Sequence, residues 1–226
     1  LFLFDSAAHG GGLLDSVRFG LQVPDLSLGR LTEGVWGLCQ PSFGAANRPQ
    51  PTGDPRGLRI NEWLADAQFV ARNDFLELYN PDPLPVALGG FFLSDAAGAP
   101  TRFAIAPLSF IAGKGYAEFV ADNDPTSGAN HLNFKLSPDV GLVLLSSPGL
   151  ELIDAVNYGA QRTDVSEGRS PDGASSMTAF SQPTPGGGNP GTALGECTLA
   201  TTTVQLVTLG AAWKYNQTAD LDGTGW

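Results

Sequence analysis

Two glutamates stand where a pair of carboxylates could do general acid–base work: Glu62 in "LRINEWL" and Glu77 in "DFLELYN". Flanking a scissile bond, such a pair can protonate a leaving group and activate water. The competing reading is structural, with each strand carboxylate facing solvent or pairing with an arginine such as Arg169. A second cluster is the block Gly-x-Gln-x-x-Asp-x-Ser-x-Gly-Arg, whose members include Gln161, Asp164, Ser166, Gly168 and Arg169. Asp and Ser two residues apart can bind their own backbone and close a turn. Glycine admits positive φ, and arginine can clamp a carboxylate through two bonds. The block holds neither His nor Cys, so it reads as a turn-and-clamp device.

Calcium is the small ligand to weigh, because hard cations favour clustered carboxylate and carbonyl oxygens. Its candidates are Asp122 and Asp124 in "ADNDPTSG" and Asp220 and Asp222 in "ADLDGTG". The second loop lacks a bidentate Glu twelve positions on, and acidic loops are common on acidic chains. No cofactor is expected.

Other chemistries find little support. The two histidines, His9 and His131, lie in unrelated contexts, a Gly-rich turn and a strand entry. No His-x-His, HExxH or paired-Cys spacing is present, which disfavours a transition-metal site. No GxSxG elbow occurs. The triplets Gly10–Gly12 and Gly186–Gly188 lack the GK[ST] of a phosphate loop and read as turns. No catalytic residue is expected.

The elements that carry these residues are short. The chain has 226 residues, of which 29 are Gly and 17 Pro, together about a fifth. Long helices tolerate neither residue inside them. Hydrophobic residues are 42%, enough to bury a core. Twelve Lys and Arg against 23 Asp and Glu leave a net charge of −11, the wrong sign for tracking phosphates. No apolar run reaches the roughly 20 residues of a membrane span. Low Lys with abundant Thr, Ser, Gly and Pro suits a secreted or cell-surface protein. Without an initiator Met or a basic n-region, and stopping as a new pattern opens, the sequence reads as a piece of a longer protein.

Strand-length runs fall at 58–64, 74–80, 115–121, 141–146 and 151–158, separated by turn clusters. In 74–80 the residues Phe75, Glu77 and Tyr79 alternate with Leu76, Leu78 and Asn80, the period of a sheet with one packed face. The expectation is an all-β antiparallel sandwich. An internal repeat organises it. "LLDSVRFGLQVPDLSLGR" (13–30) aligns with "LIDAVNYGAQRTDVSEGR" (152–169) at one offset, pairing Asp15 with Asp154, Gln22 with Gln161, Asp25 with Asp164, Ser27 with Ser166 and Arg30 with Arg169. "QPSFGAAN" (40–47) then meets "QPTPGGGN" (182–189), which sets Cys39 against Ser181, and upstream Leu1 aligns with Leu142. Residues 1–49 therefore read as the last part of one repeat, and 58–190 as a complete one. Residues 50–57 form a Pro-rich, semi-rigid linker, and 191–226 open a further β-rich module. With a full copy starting near Leu58 and Leu1 set against Leu142, the 84 residues matching 58–141 are missing ahead of Leu1.

The stretches "LRINEWLA", "FLELYNPDPLPVALGGFFLSD", "IAGKGYAEFVAD", "NFKLSPDVGLVLLSSPG", "IDAVNYGAQRTDVSEGR" and "PTPGGGNP" follow in an order that resembles the bacterial form of the lamin tail domain. The resemblance implies an immunoglobulin-like β-sandwich without enzyme activity, repeated in tandem in large secreted proteins. It points to an adhesion, spacer or partner-presenting module, with a protein or cell-surface partner. The alternative is an accessory domain of an extracellular hydrolase whose catalytic domain lies elsewhere. The family's nuclear namesake raises nucleic-acid binding, which the −11 charge disfavours.

Three structural expectations follow. The core should hold Ile60, Leu76, Leu78, Phe92, Phe119, Val120, Leu142, Leu144 and Val156, although adjacent Phe119 and Val120 cannot both point inward. Cys39 and Cys197 are candidates for a disulfide joining the flanks of the central repeat. The apolar strands of 1–49 should dock on another sheet: the central repeat, the 198–217 strands, or a second chain in a dimer.

Overall fold

The computed structural model describes residues 1–191. Cys197, Asp220, Asp222 and the strand-like stretch 198–217 lie outside them. The described residues belong to one compact unit. They are all-β apart from short 3-10 turns.

Residues 1–49 contribute β1 (Phe2–Phe4), β2 (Leu13–Ser16), β3 (Ser27–Arg30), β4 (Trp36–Gln40) and β5 (Arg48–Pro49). These make two small sheets, β1–β2 and β3–β4–β5. The central stretch adds β6 (Arg59–Leu64), β7 (Phe75–Tyr79), β8 (Val86–Ala87), β9 (Phe92–Ser94), β10 (Phe103–Ala104), β11 (Phe110–Ile111) and β12 (Tyr116–Val120). After these come β13 (Gly141–Ser146), β14 (Leu152–Tyr158), β15 (Ser166–Arg169) and β16 (Met177–Phe180). The main sheets run β12–β7–β6–β15–β16 and β10–β9–β13–β14, with β8 and β11 as a separate ladder. Every ladder between these strands is antiparallel, an arrangement consistent with a β-sandwich.

One core joins the two main sheets. Ile60, Trp63, Leu76, Leu78 and Phe119 come from the five-stranded sheet, and Leu93, Phe103, Val143, Leu145 and Val156 from the four-stranded one. Trp63 stacks on Tyr158 at 5.6 Å and Phe103 meets Phe119 edge-on at 6.3 Å. Ile60, Leu76, Leu78, Phe119 and Val156 are buried as expected. Phe92, Val120, Leu142 and Leu144 are only partly buried. Their neighbours Leu93, Ala121, Val143 and Leu145 take the core positions instead. Where both phases of a strand are apolar, alternation alone does not say which faces inward.

The strand β7 departs from a one-sided pattern. Phe75 and Glu77 are as buried as Leu76 and Leu78, and over Glu77 the cover is residues 184–189, which bond Glu62, Glu77 and Asp172. A bulge sets the phase of β6. Ile60 pairs with Leu78 and Glu62 with Glu77, so Asn61 is the extra residue. Beyond it the alternation flips, which puts Ile60, Trp63 and Ala65 in the core and turns Glu62 to the covered face.

The two copies of the repeat share backbone detail. Leu3 pairs with Asp15 and Phe4 with Leu13, across a bulge; Leu145 pairs with Asp154 and Ser146 with Leu152, across the same bulge. Leu1 thus corresponds to Val143 rather than Leu142, because the loop between the strands is longer in the first copy. Ser27 pairs with Cys39 and Ser166 with Phe180, so Phe180 rather than Ser181 occupies the position of Cys39.

Of the three partners expected for the strands of 1–49, the central sheets do not take β1, β2 or β3 into their ladders. Among the described residues β1, β2 and β3 join no other sheet, and Leu1, Phe2, Leu3, Phe4, Leu13 and Leu14 stay exposed. Contact is made lower down. Leu21 receives the Phe110 N–H at 2.9 Å and gives its own to Ser109 Oγ at 3.1 Å, while Gln22 Nε2 donates to Leu108 O at 2.9 Å. The stretch 50–57 is tied down: Gln50 N–H donates to Leu38 O, Gly53 N–H donates to Pro85 O, and Asp54 caps the turn Pro55–Gly57.

Candidate functional site

Glu62 and Glu77 face each other across β6 and β7, and both are 0% exposed. Neither is solvent-facing and neither pairs with Arg169, which corrects both halves of the structural expectation. Glu62 accepts bonds from Ser166 Oγ, from the Thr184 N–H at 3.1 Å and from Thr184 Oγ1 at 2.9 Å. Glu77 accepts from Asn61 Nδ2 at 3.1 Å and from the Gly186 N–H at 2.7 Å. The network continues through Asp172. Its carboxylate takes Tyr116 Oη at 2.6 Å, Asn61 Nδ2 at 3.0 Å and the Asn189 N–H at 3.0 Å. Asn189 Nδ2 in turn donates to Asn61 O and Arg169 O.

Burial dominates the electrostatics. Loss of water pushes the Glu77 carboxyl up to about 8, against the opposing pull of its bonds from Asn61 and Gly186. The same desolvation raises Glu62, partly offset by Ser166 and Thr184. Tyr116 is raised by burial first and then by its bond to Asp172. Such a pair has the chemistry of a general acid beside a carboxylate. Its oxygens are instead spent on the chain's own N–H and O–H groups, and those bonds hold residues 184–189 against the sheet.

The repeated block surrounds this network. Arg169 Nη2 bonds both oxygens of Asp154, at 2.9 and 3.1 Å, Nε donates to Ile60 O at 2.8 Å, and Nη1 donates to Ala174 O. Gln161 Oε1 accepts the Trp63 indole N–H at 3.1 Å. Asp164, at φ +59°, receives three consecutive N–H groups, from Gln68, Phe69 and Val70, at 2.8–3.1 Å. Those bonds, Gln68 foremost, hold its carboxyl below the ordinary range. Ser166 reaches Glu62 rather than its own turn. A Cβ on Gly168 would lie 2.5 Å from Asn61 O, so only glycine lets β6 approach.

The remaining candidates lie apart. Asp122 accepts His131 Nδ1 at 2.7 Å and the Asp124 N–H at 3.0 Å. Asp124 takes Ser127 Oγ, Thr126 Oγ1 and the Thr126 N–H, which together lower its pKa. Among the described residues no three His, Cys, Asp or Glu side chains converge as metal ligands. His9 is exposed beside Asp5. Cys39 is buried; its proposed partner lies outside the described residues. A groove of about 620 Å³ runs between Arg18, Phe19, Phe103, Ile105 and Thr126, away from both glutamates. No helix among the described residues is long and apolar enough to cross a membrane.

No family model, curated protein or solved structure matches the chain.

Sequence reasoning missed Asn61, Asp172, Tyr116, Thr184 and Asn189 as members of the network, and Asp154 as the partner of Arg169. Two of these had a signal. Asp154 and Asn189 both recur in the first copy, as Asp15 and Asn47.

Proposed function

We propose that this chain is a non-catalytic structural module, an immunoglobulin-like β-sandwich of the lamin tail domain type, repeated in tandem within a larger secreted protein. It spaces or presents binding surfaces to a protein or cell-surface partner. One observation carries the reading. The two carboxylates best suited to catalysis are sealed at 0% exposure and bonded to Ser166, Thr184, Asn61 and Gly186 of their own chain. A general acid must reach the proton it transfers within hydrogen-bond distance of substrate. The repeated block supports the same reading, because in the second copy Asp164, Ser166, Gly168 and Arg169 are occupied in joining chain segments. The composition favours an extracytoplasmic setting, and the −11 charge argues against a nucleic-acid partner.

The test is a screen of the purified chain against phosphatase, esterase, glycosidase and peptidase substrates, with Glu62→Gln and Glu77→Gln alongside. The expected result is no turnover above buffer. Turnover that persists through purification and disappears in either variant overturns the reading.

A further inference from the structure

In the central repeat, residues 59–70 cover the polar block, and each member of the block meets a partner there. Asp154 receives the Ile60 N–H, Arg169 Nε gives to Ile60 O, Asn189 Nδ2 gives to Asn61 O, and Ser166 Oγ gives to Glu62. Gln161 takes the Trp63 indole, and Asp164 takes the backbone of 68–70. The first copy holds the same side chains in the same internal geometry. Arg30 bonds Asp15 at 2.6 Å, Asn47 Nδ2 donates to Arg30 O at 2.9 Å, and Gln22 Nε2 donates to Gly20 O at 3.0 Å. Asp25 keeps φ +60°.

Among the described residues no segment covers the block of the first copy in this way. Among the described residues no N–H from another segment reaches Asp25, and no indole reaches Gln22. Ser27 Oγ falls back on Cys39 O at 3.4 Å, and Arg30 lies over the Trp36 ring at 5.0 Å. The apolar side shows the same gap. Leu145 is 0% exposed, in a strand whose second edge is paired with β9, whereas its counterpart Leu3 is 58% exposed.

We propose that the face of residues 1–49 formed by β1, β3 and Asp25 is a preformed receptor for a half-repeat of the 58–142 type, supplied by a further copy of this domain. A strand like β6 would pair with the open edge of β3. It would set a glutamate against Ser27, present a carbonyl to Asn47 and Arg30, and bring three successive N–H groups to Asp25. A strand like β9 would pair with the open edge of β1, as β9 pairs with β13 in the central repeat. The occupant is specified by these groups together: a generic apolar strand would satisfy Leu3 and leave Asp25, Ser27 and Asn47 unmatched. The inference rests on the geometry shared by the two copies and stands whether or not the module acts as a spacer.

The experiment places residues 58–142 directly ahead of Leu1 in the full chain and follows amide hydrogen exchange. The same extended chain carrying Asp25→Ala and Ser27→Ala, and light scattering of the original chain, run in parallel. The expected result is exchange at Phe2–Phe4 and Ser27–Arg30 slowed on the order of a hundredfold or more, as when an edge strand becomes interior. Much of that protection should be lost in the doubly substituted chain. Unchanged exchange in the extended chain overturns the proposal. So does equal slowing with and without the substitutions, which would mean unspecific apolar cover. A dimeric original chain already protected at those amides also overturns it, because the occupant would then be a second copy of 1–49.

Discussion

Arg30 and Arg169 make the same bond to the same kind of partner, Asp15 at 2.6 Å and Asp154 at 2.9 Å, in opposite surroundings. The first pair leaves 47% and 42% of its side chains exposed, the second 8% and 13%. Only the second is roofed by β6, which adds a backbone carbonyl to the arginine and a backbone N–H to the aspartate. The repeated polar block thus carries half of an interface in each copy. Its energetic weight is set by whether the complementary strand is there.

The largest expected effect comes from removing each arginine in turn. Arg169→Ala strands Asp154 among buried groups and should destabilise the chain by about 3–5 kcal/mol. Arg30→Ala breaks a solvent-screened pair and should cost about 0.2–1 kcal/mol. Urea denaturation of the two variants checks this, and equal losses would break the comparison.

The carboxylates sharpen it through pH. Folded Glu77 keeps its proton to about pH 8, whereas the unfolded side chain releases it near 4.5. Between those values the folded state binds more protons, so this group's contribution to stability falls as pH rises from about 4.5 to about 8. The slope is at most about 1.4 kcal/mol per pH unit. Glu62, raised in the same direction, adds to it. Glu77→Gln should therefore narrow the stability difference between pH 5 and pH 8. An unchanged difference would mean that Glu77 is ionised within the fold.

A smaller contrast separates the two glycines. A Cβ at 168 meets the Asn61 carbonyl at 2.5 Å, a backbone atom that cannot step aside. A Cβ at 29 meets Asn47 Nδ2 at 2.6 Å and Cys39 Sγ at 2.9 Å, both side-chain ends. Gly168→Ala should cost about 1–3 kcal/mol as an overpacking, and Gly29→Ala clearly less. The melting temperatures of the two variants rank them. Smallest of all is the effect of chelation. Asp122 and Asp124 are already bonded to His131, Thr126 and Ser127, so EDTA should leave the melting temperature unchanged. A fall reversed by calcium would contradict that.

The positions of the main strands were legible because turn clusters bracket each apolar run, and the all-β class followed. The inward phase was not legible in "FFLS" and "GLVLLS", where both faces are apolar and Leu93, Val143 and Leu145 win the core. The fate of the glutamates was hidden for two separate reasons. A bulge at Asn61 turns Glu62 away from the core, and no alternation rule announces a bulge. The cover over Glu77 arrives from Gly186, which only the folded chain brings near. The clamp could have been read further. Asp15/Asp154 and Asp25/Asp164 recur at the same offset as Arg30/Arg169, which offers an aspartate rather than a glutamate as the partner of Arg169.

One block of residues is locked in one copy and open in the other. Residue-resolved hydrogen exchange tests it within a single sample, by comparing Ser166–Arg169 of β15 with Ser27–Arg30 of β3. β15, flanked by β6 and β16, should exchange only with global unfolding. In β3, which among the described residues pairs with β4 alone, the amides facing the open edge should exchange far faster. Equal protection of the two strands would contradict it.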